Sequence, residues 1–229
     1  MNELFKNGYY VGKTSEIIGN FDVFYKNINE LIDISNKDNI FKYRFDLFLE
    51  DVKLPEEIPG GVGRIHIDEE FIPERSEYVI KNNIRVFQRW GETPPVLNQI
   101  TSLKNYFRSI VESCLVKIYP DLENNFYHTD SFTLFKNGDF IIPHNDGENM
   151  GRRCVILIYL SHKEHYNEGG GELVINSENF KEEVVPINEN FCILDFSCNN
   201  SNHSVNLVKN DFKRYTYIDF VYNKNEMEK

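Results

Sequence analysis

A mainly β chain with flanking helices, folded as a sandwich or jelly roll, is what this sequence predicts. Three observations predict it. After Pro120 the chain breaks into short apolar stretches separated by Gly- or Asn-rich turns such as Lys136-Asn137-Gly138 and Gly169-Gly170-Gly171. Apolar residues at helical spacing are confined to two stretches before that point. The composition, with 18 Phe and 13 Tyr and many β-branched residues, favours strands. At 229 residues a single domain is expected. Residues 1–125 read as a helical and strand elaboration, and 126–222 as the jelly-roll core.

The elements follow in order. Ile17-Ile18, Phe21, Phe24-Tyr25, Ile28 and Leu31-Ile32 recur at three- and four-residue steps, an amphipathic helix. Phe41 to Val52 alternates poorly and fits a strand or a helix. Pro55 to Gly63 is a loop, broken by two prolines and three glycines. Arg64–Ile67 and Ile84–Trp90 read as strands. Thr93 is placed as a helix N-cap before Pro94-Pro95. Val96 to Ile118 then carries Leu97, Ile100, Leu103, Phe107, Ile110-Val111 and Leu115 at helical spacing, a stripe suited to back a sheet. Strands are expected at 131–135, 139–144, 153–160, 172–175, 183–186, 191–196, 204–208 and 212–222.

A net charge of −11 opposes a nonspecific grip on phosphate backbones. No apolar run reaches the roughly 20 residues of a membrane span. Cys114, Cys154, Cys192 and Cys198 lack any CxxC or finger-like spacing. With no signal peptide apparent, they read as reduced structural thiols, and the expected compartment is cytoplasmic.

Pro143-His144-Asn145-Asp146 sits at the end of an expected strand. Residues two apart on a strand share a face, roughly 6 to 7 Å apart. An imidazole beside a carboxylate can hold a divalent metal, and one more His completes a facial triad that favours Fe(II) and leaves three positions open. His203 begins another strand and is the candidate. His162 and His165 lie in a polar loop beside Lys163 and Glu164, and His66 and His128 lie outside the strand series. On the last strand Phe212, Arg214, Thr216, Ile218 and Phe220 share one face, read as inward. Lys213, Tyr215, Tyr217 and Asp219 share the other, read as outward. An inward Arg214 requires an anion: a structural Asp or Glu, or the carboxylate of a bound acid.

In their order, "LFKNGDFIIPHND", "RRCVILIYLS", "GGGELVI", "ILDF" and "NHSVNLVKNDFKRYTY" resemble the iron- and 2-oxoglutarate-dependent oxygenases, in their prolyl 4-hydroxylase-like branch. The resemblance covers about Ser131 to Tyr222. It implies a double-stranded β-helix, with Fe(II) on His144, Asp146 and His203. It implies that Arg214 takes the distal carboxylate of 2-oxoglutarate, with Thr216 adding a hydroxyl, and that Arg152 helps hold substrate. Arg152 could instead pair with Glu148 at the surface. The family often has a Tyr where Phe135 stands and a Thr where Leu173 stands. The implied reaction consumes 2-oxoglutarate and O2, releases succinate and CO2, and hydroxylates an aliphatic C–H of a peptidyl proline or a small amino-acid-like molecule. Asp146 favours hydroxylation over halogenation, which goes with Gly or Ala at that place. A nucleic-acid demethylase of the same superfamily commonly has a second Arg where Phe220 stands. The remaining alternative is a non-catalytic jelly-roll binding module.

Overall fold

The computed structural model describes residues 7–38, 41–48, 65–66, 79–87, 95–120, 126–144, 146, 152–167, 169–176, 181–196 and 202–223. For 38, 42–48, 65–66, 79–87, 95–97 and 142 it describes the backbone alone. The loop expected at Pro55–Gly63, the cap at Thr93, Cys198 and Glu148 lie outside the described residues.

Two helices cover one face of the sheet. The first, α1 (Phe21–Asp38), starts four residues later than its periodicity predicts. Asn20 sets the boundary: its Oδ1 accepts the Val23 N–H at 3.1 Å and caps the first turn. Ile17 and Ile18 precede that cap. Along the helix Phe24, Ile28 and Leu31 are fully buried. The second helix, α2 (Pro95–Ile118), buries Ile100, Leu103, Phe107, Val111 and Leu115, as its stripe predicts. Phe107 meets the rings of Phe132 and Tyr217 at 5.7 and 5.4 Å, so aromatic contact fixes how the helix lies on the sheet.

Among the described residues the strands are β1 (Tyr9–Lys13), β2 (Phe41–Phe48), β3 (Ile65–His66), β4 (Val79–Phe87), β5 (Phe126–Phe135), β6 (Phe140–His144), β7 (Arg152–Tyr159), β8 (Leu173–Asn176), β9 (Lys181–Val184), β10 (Asn190–Asp195), β11 (His203–Val205) and β12 (Arg214–Asn223). The ambiguous stretch from Phe41 is therefore strand. One antiparallel run is ordered β1-β10-β7-β12-β5, and a second is β6-β11-β8-β9. β4 joins them, pairing with β5 through Arg85 and Val86 and with β6 through Asn82 and Asn83. Two runs from one chain closed over a common interior make the expected jelly roll, a mainly β fold with flanking helices. The elaboration is woven into it: β1 extends the first run by pairing with β10.

Strand alternation divides the core in two. On β7, Cys154, Ile156 and Ile158 face the helices, while Val155, Leu157 and Tyr159 face the interior between the runs. On β12, Tyr215, Tyr217 and Val221 pack toward the helices. The face expected to be outward is thus buried: Tyr215, Tyr217 and Asp219 are 2%, 0% and 0% exposed, because α1 and α2 cover it. Lys213 alone of that set is exposed, and its Nζ reaches Asn36 Oδ1 at 3.0 Å. Cys114, Cys154 and Cys192 are buried free thiols. Burial pushes the Cys114 thiol up to about 11, which leaves it unreactive near neutral pH.

Polar side chains on the helix-facing side are paired. Tyr217 donates to Asp130 Oδ2 at 3.0 Å, Lys104 and Arg108 both pair with Asp130, and His128 Nδ1 lies 2.9 Å from Asp219 Oδ2. Burial pushes the Asp219 carboxyl above its ordinary range, outweighing the hydrogen bond from His128 that pulls it down. A carboxyl raised on folding contributes stability below its unfolded pKa and loses it as pH rises through the folded value. The stability of the wild type relative to Asp219→Asn should therefore fall as pH rises through the acid range. Urea unfolding of both proteins at a series of pH values measures this. A difference that grew with pH would show that the His128 contact outweighs the desolvation.

Candidate metal centre

His144 closes β6 and His203 opens β11, and the two are direct cross-strand partners. Register settles where they point. His203 pairs across β8 with Ile175, and Val205 with Leu173. Ile175, Leu173 and Val205 all belong to the interior core cluster, and paired residues share a face. Both imidazoles therefore enter the interior, with ring centroids 4.3 Å apart. Asp146 lies past the end of β6, so it shares no strand with His144 as the two-residue spacing suggested. Its carboxylate comes closer than a strand would bring it, Oδ1 lying 3.8 Å from His144 Nε2 and Oδ2 3.7 Å from His203 Nε2. One ligand atom from each residue lies within 4.8 Å of the others. Two imidazoles and one carboxylate converging on one point suit a divalent cation of intermediate hardness.

The competing histidines are engaged elsewhere. His162 Nε2 meets Asn29 Oδ1 at 3.0 Å, and its ring stacks on Tyr25. His165 lies in an exposed turn, His128 holds Asp219, and His66 lies on β3.

Arg214 enters the same interior. It pairs with Phe135 on β5, and its guanidinium lies between the rings of Phe135 and Tyr159, 4.7 and 5.2 Å from their centroids. Nε donates to the Gly171 carbonyl at 2.7 Å and Nη1 to Thr216 Oγ1 at 2.9 Å. Thr216 thus orients the guanidinium. Burial lowers the tendency of Arg214 to hold its proton. Among the described residues it has no ion-paired carboxylate, and Glu172 favours its charged form only from beyond ion-pair distance. Gly171 is shaped to Arg214. With φ +77, a Cβ there would stand 3.0 Å from Arg214 Cδ and 2.9 Å from Val208 Cγ2. Leu173, two residues on, is buried apolar lining.

One residue of this pocket escaped the sequence reading. The Tyr159 hydroxyl is buried beside Arg214, and burial pushes its pKa far up, so it stays a neutral donor. Tyr159 pairs with Thr216 across β7 and β12. The signal was available: in Val155, Leu157, Tyr159 the inward register ends on a hydroxyl. Tyr159 supplies a hydroxyl where Phe135 offers none.

Arg152, at the start of β7, turns toward Asp146. Nη1 donates to the Asp146 main-chain carbonyl at 2.8 Å, and Nη2 lies 3.1 Å from the Tyr222 hydroxyl.

The site suits a bound acid and a metal together. A buried cation with no ion-paired carboxylate among the described residues, and a buried hydroxyl beside it, lie within the fold whose strand ends carry the His–Asp–His group. Among the described residues no helix is long and apolar enough to cross a membrane.

Residues 123–222 match the model of the 2OG-Fe(II) oxygenase superfamily. No curated protein matches the chain. Among solved structures, a prolyl hydroxylase from Trichoplax adhaerens, in complex with a hypoxia inducible factor oxygen degradation domain peptide fragment, is similar at 17% identity and a TM-score of 0.60. The match covers 99% of this chain and 89% of that one. A Pseudomonas putida prolyl-4-hydroxylase is similar at 11% identity and a TM-score of 0.57, over 97% of this chain and 96% of that one. An oxidoreductase of the 2OG-Fe(II) oxygenase family from Burkholderia pseudomallei is similar at 14% identity and a TM-score of 0.56, over 97% and 91%. These likenesses are of fold. The superfamily's cofactor and cosubstrates are Fe(II), 2-oxoglutarate and O2, and the donor set of His144, Asp146 and His203 is able to bind such a metal. Over residues 123–222 the chain is thus similar to the 2OG-Fe(II) oxygenase superfamily, and its fold is similar to that of prolyl hydroxylases.

Proposed function

We propose that the chain is a single-domain 2-oxoglutarate-dependent hydroxylase acting on an aliphatic C–H of a peptidyl proline or a small amino-acid-like molecule. The observation that carries this is Arg214: a buried guanidinium, oriented by Thr216 and Gly171 and lacking an ion-paired carboxylate among the described residues. A cation so placed costs free energy until an anion arrives. The distal carboxylate of 2-oxoglutarate answers it, with Tyr159 donating a further hydrogen bond. His144, Asp146 and His203 hold Fe(II), which, when bound, supplies activation of O2. The overall reaction balances: substrate C–H, 2-oxoglutarate and O2 give substrate C–OH, succinate and CO2. The prolyl hydroxylases among the structural relatives support a peptidyl substrate, and the net charge of −11 disfavours a polyanion.

The test is turnover with Fe(II), 2-oxoglutarate and O2, offering proline-rich peptides, free amino acids and methylated oligonucleotides in parallel. Succinate release with a gain of one oxygen on a peptide or amino acid is expected by mass spectrometry. Absence of succinate above the Arg214→Ala background would reduce the chain to a binding module. Demethylated oligonucleotide as the sole product would overturn the substrate class.

A further inference from the structure

Asp146 lies two residues past the last residue of β6, so the ladder that fixes His144 and His203 does not extend to it. A metal ligand beyond its strand needs another support. Arg152 provides one through two contacts. Its Nη1 donates to the Asp146 carbonyl at 2.8 Å and lies 3.4 Å from Asp146 Oδ1. Arg152 is itself held. Its guanidinium sits 4.3 Å from the centroid of Phe220 and 5.6 Å from that of Tyr222, and it reaches the Tyr222 hydroxyl at 3.1 Å. Its side chain is 7% exposed, so solvent screens its charge little.

Resting on the iron-site reading above, we infer that Arg152 is a positioning residue of the metal centre, acting through Asp146 and independently of substrate. Three effects follow from the geometry. The hydrogen bond to the main-chain carbonyl fixes the backbone that carries the ligand. The cation beside Oδ1 holds the carboxylate turned toward the two imidazoles. With Oδ1 drawn to Arg152, coordination through the other oxygen is favoured, and a one-oxygen carboxylate preserves the three open positions of a facial triad. Phe220 and Tyr222 complete the device by holding the guanidinium in its plane, which a flexible ammonium would not reproduce.

The experiment titrates the substrate-free, full-length protein with Co(II), followed by calorimetry and by the visible absorption of the bound ion. Wild type, Arg152→Gln, Arg152→Lys and Tyr222→Phe are compared. Arg152→Gln should weaken Co(II) binding by roughly 10- to 100-fold and alter the absorption envelope, the range found when an outer-shell partner is lost. Arg152→Lys should recover part of the affinity, and Tyr222→Phe should lose a few-fold while keeping the charge. Should Arg152→Gln fail to fold, Tyr222→Phe still decides, since it leaves the strand pairing intact. Unchanged Co(II) affinity and spectrum in these folded variants, with an effect confined to the KM of the organic substrate, would overturn the inference. If the wild type itself bound no Co(II), the iron-site reading would fail instead, so the two failures are distinguishable.

Discussion

His203→Ala is expected to abolish stabilisation of the protein by Fe(II) or its surrogates. The argument is geometric. His203 faces both partners of the group, Asp146 at 3.7 Å and His144 across the ladder with ring centroids 4.3 Å apart. Its removal leaves an imidazole and a carboxylate, of which the carboxylate lies off the strand. A ligand present at a hundred times its Kd stabilises the folded state by about 2.7 kcal/mol. For a domain of this size that is a rise in Tm of roughly 5 to 11 °C. The wild type should show such a rise on anaerobic addition of the metal, and His203→Ala should show none. His162→Ala is the control, because His162 is engaged by Asn29 and Asn188 away from the group and should retain the full shift. A shift kept in His203→Ala and lost in His162→Ala would place the metal elsewhere.

Much of this centre was legible in the sequence, for identifiable reasons. Period-two alternation on β7 and β12 and the four-residue spacing in α2 are set by burial, and burial is written in residue type. The order of motifs carried His144, Asp146, His203 and Arg214, since each is a charged or metal-binding residue at a strand end or on an inward register. Three features resisted. The start of α1 depended on a single cap, Asn20, which outweighed two preceding isoleucines. The second face of β12 looked outward because Lys213 and Asp219 are charged, yet Tyr215, Tyr217 and Asp219 are sealed by the helices. A strand's own sequence does not say whether a helix will cover it. Asp146 was placed on a strand because the two-residue spacing suited one. The chain leaves the ladder first, and Arg152 takes over the hydrogen bonding that the ladder no longer supplies. Tyr159 was passed over because a tyrosine in an apolar strand reads as core until its hydroxyl is seen beside the buried Arg214.

Arg214→Ala is expected to raise the KM for 2-oxoglutarate by a factor on the order of 10 to 100. A charge-assisted hydrogen bond out of bulk water is worth roughly 1.5 to 3 kcal/mol, and each 1.4 kcal/mol is tenfold. The neighbouring Lys213→Ala should leave KM unchanged, because Lys213 is exposed and its ammonium is turned to Asn36. Tyr159→Phe removes one neutral donor and should cost roughly tenfold or less. A second measurement separates a ligand-binding arginine from a structural one. In the free protein the buried Arg214 guanidinium lacks an ion-paired carboxylate among the described residues, and desolvation already lowers its hold on the proton. Such a cation costs stability in the absence of its ligand. Arg214→Ala should therefore unfold at the same or a higher urea concentration than the wild type when 2-oxoglutarate is absent. With 2-oxoglutarate at saturation for the wild type, the order should reverse. A variant that was less stable without the ligand and had an unchanged KM would mark Arg214 as a packing residue. The anion anchor would then have to be sought elsewhere in the interior.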